Sequence, residues 1–192
     1  MVTRCFRALS MLLSEIEDME SSDYQKDKIF LSLMLSVNTV ETFINVYFRV
    51  IAEQEKFATS KDMILSDLSH DNGSKALGLK SKLNNWPPKV LGKSVNWSSG
   101  VGSEFEELRK KRNKLMHFIS GYETLEFDNI KIHGLSNTSD FDNLSYADAT
   151  NSYRVAFLFV EYILKLAGTS EKNLPHAMHH WAGIPPMVAT ET

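Results

Sequence analysis

Ile29-Phe30-Leu31-Ser32-Leu33-Met34-Leu35-Ser36-Val37-Asn38-Thr39-Val40-Glu41-Thr42-Phe43-Ile44-Asn45-Val46-Tyr47-Phe48-Arg49-Val50-Ile51-Ala52 is the most apolar stretch of this 192-residue chain. It is long enough to span a bilayer, but Asn38, Glu41, Asn45 and Arg49 are each costly in lipid. It therefore reads as the core helix of a soluble, cytoplasmic protein with no membrane partner. Ile29, Leu33, Val37, Val40, Ile44, Tyr47 and Ile51 hold the helical apolar spacing, and the pattern carries the helix over about 24–57. The polar four are spaced three, four and four apart, so they share one face. A buried unpaired carboxylate is expensive, so Glu41 is expected to meet Arg109 or Arg112, with Asn45 in support.

Outward from this helix, the apolar spacing of residues 6–16 predicts a preceding helix rather than a signal peptide, and Ser21-Ser22-Asp23 supplies caps between the two. Leu65 and Leu68 mark a short helix. Residues 75–85 predict another, stopped by Trp86-Pro87-Pro88, and residues 89–102, rich in Ser, Gly, Asn and Lys, predict a loop. Ser103, with Glu106 three residues on, reads as the capping box of a helix from 104 to about 119, ended by Gly121. Residues 122–127 and 130–133 alternate as a short β-hairpin near 122–134. Residues 145–168 return to helix, with Gly168 at its end, and the tail 169–192 with its three prolines reads as irregular. The fold class is all-α: an antiparallel bundle of four to six helices in a single domain, its core about 24–168.

Composition narrows the functional classes. The chain is 43% hydrophobic and 23% charged, with a formal net charge of -3, so no global field draws it to nucleic acid and any polyanion site must be a local cluster. One cysteine, Cys5, excludes an internal disulfide and a cysteine-based zinc cage, fits a reducing compartment, and reads as a small core residue. Four Asn-x-Ser/Thr triplets, at Asn72, Asn96, Asn137 and Asn143, read as composition only. His176, His179 and His180 share a helical face but lack a nearby carboxylate or thiolate, so the expected reading is a tail that packs Trp181 against the bundle, with no metal and no cofactor. There is no Gly-rich phosphate loop, serine elbow or paired-acid nuclease motif.

The local cluster is Glu107-Leu108-Arg109-Lys110-Lys111-Arg112-Asn113-Lys114-Leu115-Met116-His117. At 100° per residue Arg109, Asn113 and His117 form a stripe, with Arg112 about 60° to its other side, so all four can border one groove. An arginine fork matches phosphate, and histidine moves protons near neutral pH. Lys110, Lys111, Lys114 and Arg109 read as substrate-binding charge around the pair Arg112 and His117. Asn113, one turn before the histidine, is placed to orient its ring. The bland alternative is a solvated basic surface with His117 packed at its edge.

Arg112-Asn113-Lys114-Leu115-Met116-His117 also resembles the Arg-x4-6-His motif of the HEPN superfamily, including the polar residue after the arginine. Glu41-Thr42-Phe43-Ile44-Asn45 on the upstream helix is similar to a Glu-x-x-x-Asn pattern of several HEPN groups, and the resemblance covers roughly 24–168. It implies a helical bundle that dimerises to bring two motifs into one cleft. It also implies a metal-independent endoribonuclease of toxin–antitoxin or antiviral-defence type, with RNA as substrate and an antitoxin as a candidate protein partner. Arg112, Asn113 and His117 would be catalytic, with 2′-hydroxyl attack on the scissile phosphate. The alternative from another class is a non-catalytic helical module that binds protein, nucleotide or RNA without turnover.

Overall fold

Burial of one apolar stripe per helix organises a bundle around the second helix in a computed structural model of the chain, which describes residues 1–20, 22–54, 61–68, 77–117, 122–127, 130–136 and 138–183. The long helices are α1 (Val2–Glu17), α2 (Asp23–Ala52), α5 (Gly100–His117) and α7 (Tyr146–Leu166). Shorter ones are α3 (Lys61–Leu68), α4 (Leu79–Trp86), α6 (Ser139–Asp142) and α8 (Leu174–Ala182), and β1 (Tyr122–Phe127) pairs antiparallel with β2 (Ile130–Ser136). The fold is all-α with one hairpin inserted between α5 and α6.

Helix α2 packs most extensively against α7 and then α1, and α5 crosses both α2 and α7. Ile29, Leu33, Val37, Val40, Phe43, Ile44 and Phe48 are all fully buried, so the apolar spacing read from sequence is the core face. Small residues let α2 and α7 approach: the buried hydroxyls of Ser36 and Ser152 lie 3.0 Å apart across the contact, and Ser152 also donates to the Ala149 carbonyl. This satisfies polar groups that burial would otherwise penalise. Helix α2 is long and apolar enough to cross a membrane, and half of its most apolar window is buried inside the bundle.

Ser22 caps α2, its Oγ accepting from Gln25 N at 3.2 Å. Ser145 and Asp148 form a reciprocal capping box on α7, and Gly168, at φ +92°, follows its last turn as a left-handed stop that favours glycine. Helix α2 ends at Ala52 rather than near residue 57, with residues 55–57 outside the described set.

Four expectations change. Pro87 and Pro88 do not stop α4: Pro87–Leu91 continue it as one wide π-helical turn, because proline at the head of a turn forfeits no needed N–H, and Gly92 ends the run in the left-handed region. Helix α5 begins at Gly100, which places Ser103 inside it and removes its capping role. The tail is not irregular throughout, since Pro175 sits in the first turn of α8, where its fixed φ suits a helix. Cys5 is half-buried rather than a core residue.

Helix α8 folds Trp181 onto the bundle, edge-on to Phe43 at 5.3 Å and Tyr47 at 5.6 Å. Burial pushes the Tyr47 hydroxyl up to about 12.

Candidate functional site

Three elements meet in a groove of about 300 Å³, lined by Glu41 of α2, by Gly78, Leu79, Lys80 and Ser81 at the head of α4, and by Arg109, Arg112 and Asn113 of α5. Helical spacing explains the α5 contribution, since residues three and four apart share a face. The α4 contribution was not anticipated. Gly78 is its N-cap and offers no capping side chain, so the first amides of α4 have no capping side chain among the described residues. A helix N-terminus in that condition favours an anion.

Arg112 is half-buried, and its Nε is buried with no hydrogen-bond partner among the described residues. Burial pushes its pKa down, Glu41 across the groove pushes it up, and Arg109 one turn earlier adds to the lowering. Guanidinium stays charged across the physiological range regardless. The result is a cation held near a carboxylate but not bonded to it. Asn113 lines the same wall, half-buried, with no side-chain hydrogen bond among the described residues. His117 is the last residue of α5, on the stripe that continues from Arg109 and Asn113, and its side chain lies outside the described residues.

The partner expected for Glu41 is different. Glu41 Oε1 accepts from Lys82 Nζ at 3.2 Å, and Asn45 Oδ1 accepts from the same ammonium at 3.0 Å. Lys82 is the deeper member, with 5% of its side chain exposed against 32% for Glu41. Its ammonium also lies 5.7 Å from the centroid of the buried Trp86 ring. Glu41 and Asn45 thus tie α2 to α4, while Asn38 and Arg49 of the same stripe are exposed and need no buried partner.

Arg109 instead closes on its own helix: its Nε and Nη2 each donate to Glu106 at 3.0 Å. Lys80 Nζ reaches the same carboxylate at 3.1 Å. The hydrogen bond from Arg109 and the contact with Lys80 hold the Glu106 carboxyl below its ordinary value. A carboxylate at i−3 outcompetes one on a neighbouring helix because α5 already positions it. The i,i+3 spacing of Glu106 and Arg109 is visible in sequence, where Glu106 reads instead as the capping-box partner of Ser103.

The lysines also leave the groove. Lys110 pairs with Glu107 at 2.8 Å on the solvent side, Lys111 with Asp148 of α7 at 2.5 Å, and Lys114 with Asp140 of α6 at 2.8 Å. Lys111 and Lys114 fasten α5 to the next helices, and none of the three lines the cavity with Arg112. Helical rotation turns Lys111 and Lys114, expected as substrate-binding charge, toward the acidic residues of α7 and α6, and leaves Lys110 with Glu107 of its own helix. The cations lining the groove are Lys80, Arg109 and Arg112, against the carboxylate Glu41, with Glu106 and Lys82 behind them as the partners of Lys80 and Glu41.

The 93–99 segment meets the groove through Lys80, whose Nζ lies 3.2 Å from the centroid of the Trp97 ring. Asn96 N donates to Tyr162 Oη at 2.9 Å, and Asn96 Oδ1 accepts from Ser98 N and Ser98 Oγ at 3.0 and 2.8 Å. At Gly102 a Cβ would lie 1.9 Å from the Asn96 carbonyl oxygen, so only glycine lets the first turn of α5 press on this segment. Elsewhere, His176, His179 and His180 are exposed on α8, and no group of three or more His, Cys, Asp or Glu is arranged to hold a metal among the described residues.

Compared with models of known protein families, with curated proteins and with solved structures, the chain matches none.

Proposed function

We propose that the chain is a metal-independent endoribonuclease of HEPN type, acting on single-stranded or looped RNA as a homodimer. The observation that carries this reading is Arg112, charged, half-buried, its Nε unbonded, in a groove onto which the uncapped head of α4 opens. A guanidinium and the amides of a helix N-terminus are complementary donors for one phosphate.

In the proposed reaction His117 takes the proton of the 2′-hydroxyl. The freed oxygen attacks the adjacent phosphorus, the bond to the 5′-oxygen breaks, and that leaving oxygen takes up a proton. The products are a 2′,3′-cyclic phosphate and a 5′-hydroxyl. Arg112 neutralises charge on the phosphoryl oxygens as the phosphorane forms, and Asn113 positions the reacting groups. Lys82 offsets the charge of Glu41, which would otherwise repel the phosphate at Arg112. A cytoplasmic toxin or antiviral-defence role, with an antitoxin partner, belongs to the same resemblance.

The test is incubation of purified protein with end-labelled RNA in excess EDTA. Cleavage is expected, reduced about 100-fold or more in His117→Ala and comparably in Arg112→Ala. Cutting of DNA of the same sequence, or undiminished cutting by His117→Ala, would sink the mechanism, because DNA lacks the attacking hydroxyl.

The presence of Glu41 in the groove supports a second reading, a helical module that retains a ligand without turning it over. RNA held but intact in the same EDTA assay is its signature.

A further inference from the structure

We infer that Trp97 is a stacking platform for a nucleobase, set so that a nucleotide whose phosphate lies at Arg112 lays its base on the indole. This rests on the RNA reading above and adds a base-binding component to that groove. Trp97 sits on the 93–99 segment, half-buried, with its ring fixed from two sides. It stacks with Phe159 at 6.3 Å and 22°, and Phe159 in turn stacks on Phe105 at 4.1 Å. Its Nε1 donates to Asn84 Oδ1 at 2.9 Å.

What covers the centre of the ring is a displaceable group. Lys80 Nζ lies 3.2 Å from the ring centroid, and Lys80 also lines the groove and contacts Glu106. One flexible side chain therefore joins the indole to the wall that carries Arg112. Lysine is a compact charge on a mobile stem, whereas the arginine fork is rigid. A phosphate entering beside Arg112 offers the ammonium a second anion and draws it off the ring. The aromatic surface so released is one side chain away from that phosphate. The Lys80 side chain is 29% exposed, and base-on-aromatic stacking is comparable to such a partly buried cation–ring contact while the displaced ammonium gains the phosphate, so the exchange favours a nucleotide over a bare phosphate and accepts any base. The ligand class is a single-stranded oligonucleotide, recognised by phosphate and π-face together.

The experiment compares the full chain with its Trp97→Leu and Trp97→Phe variants. The probes are a short 2′-O-methyl oligoadenylate, which has no attacking hydroxyl, and a linear polyphosphate, which has no base. Trp97→Leu is expected to weaken oligoadenylate binding about tenfold or more while leaving polyphosphate binding unchanged. Trp97→Phe keeps a ring and is expected to retain most of the affinity. Oligoadenylate, but not polyphosphate, should quench the indole fluorescence, and that quench should be missing from Trp97→Phe.

Unchanged oligoadenylate binding by Trp97→Leu overturns the platform. Equal weakening toward both probes also overturns it, since that outcome makes Trp97 a builder of the groove. In either case the RNA reading survives if Arg112→Ala loses both ligands. Binding of neither probe by the wild-type chain removes platform and RNA reading together. Trp97→Phe and circular-dichroism melting of each variant separate a binding defect from a folding one.

Discussion

Lys82 keeps a charge where 5% of its side chain meets water, and Glu41 with Asn45 supplies its partners. Removing one member of such a pair strands the other, which is costlier than replacing both. Lys82→Met is therefore expected to destabilise the fold by about 2 kcal/mol, less than a fully buried pair would, because Glu41 is one-third open to solvent. The double variant Lys82→Met/Glu41→Gln should recover part of that loss in urea unfolding. An additive double variant would mean the two side chains do not depend on each other. This pair also shows how far single residues could be read. The need for a cation at Glu41 was legible from a carboxylate in an apolar stripe, but not which cation. Arg109 and Arg112 were the dense charge in view, whereas Lys82 lies on a short helix whose placement is tertiary. Conversely, Glu106 was close enough to Arg109 in sequence to claim it, and local geometry won.

Among the elements, α7 has the most complete start signal. Ser145 accepts from the third helical amide while Asp148 reaches back to the Ser145 amide. Asp148 also receives Lys111, so one carboxylate both caps α7 and fastens α5. Ser145→Ala is expected to cost about 1 kcal/mol, a fall of roughly 2–4 °C in Tm by thermal melting for a chain of this size. No fall would mean that Asp148 caps alone. Capping boxes, long apolar periods and the alternating hairpin are properties of contiguous residues, which is why α2, α7, the strand 122–127 and the first four residues of the strand 130–136 are legible, while the last three residues of that strand are not. Where the structure departs from expectation, at the π-helical turn after α4, the early start of α5 and the tail helix α8, proline and glycine had been read as breaks. Pro175 and Pro87 instead occupy first-turn positions, where a missing N–H carries no penalty.

For the whole molecule, the distribution of charge decides how an RNA should bind. The basic run of α5 looked like a broad electrostatic apron, but Lys110, Lys111 and Lys114 are each neutralised by a carboxylate. Three cations, Lys80, Arg109 and Arg112, and one carboxylate, Glu41, line the groove, a surplus of two that matches two phosphates. The slope of log Kobs against log salt for a single-stranded RNA is therefore expected to be about −1.4. A slope of −4 or steeper in a filter-binding titration would show that the lysines abandon their carboxylates and join the interface. This part of the site was beyond the sequence, because Gly78, Lys80 and Lys82 reach Arg112 only through the packing of α4 against α2.

The segment that carries Trp97 has little freedom left to lose. Its Asn96 amide is held by Tyr162, its turn is closed on the Asn96 side chain, and Gly102 brings the helix behind it into direct backbone contact. Ordering a loop at the moment of association ordinarily consumes part of the interaction free energy, and that consumption is what makes many loop-borne sites weak. Here the ordering is already complete in the free chain. A ligand that reaches Trp97 meets this segment as a rigid surface, and the weld at Gly102 leaves the segment no rearrangement by which to accommodate one that does not fit.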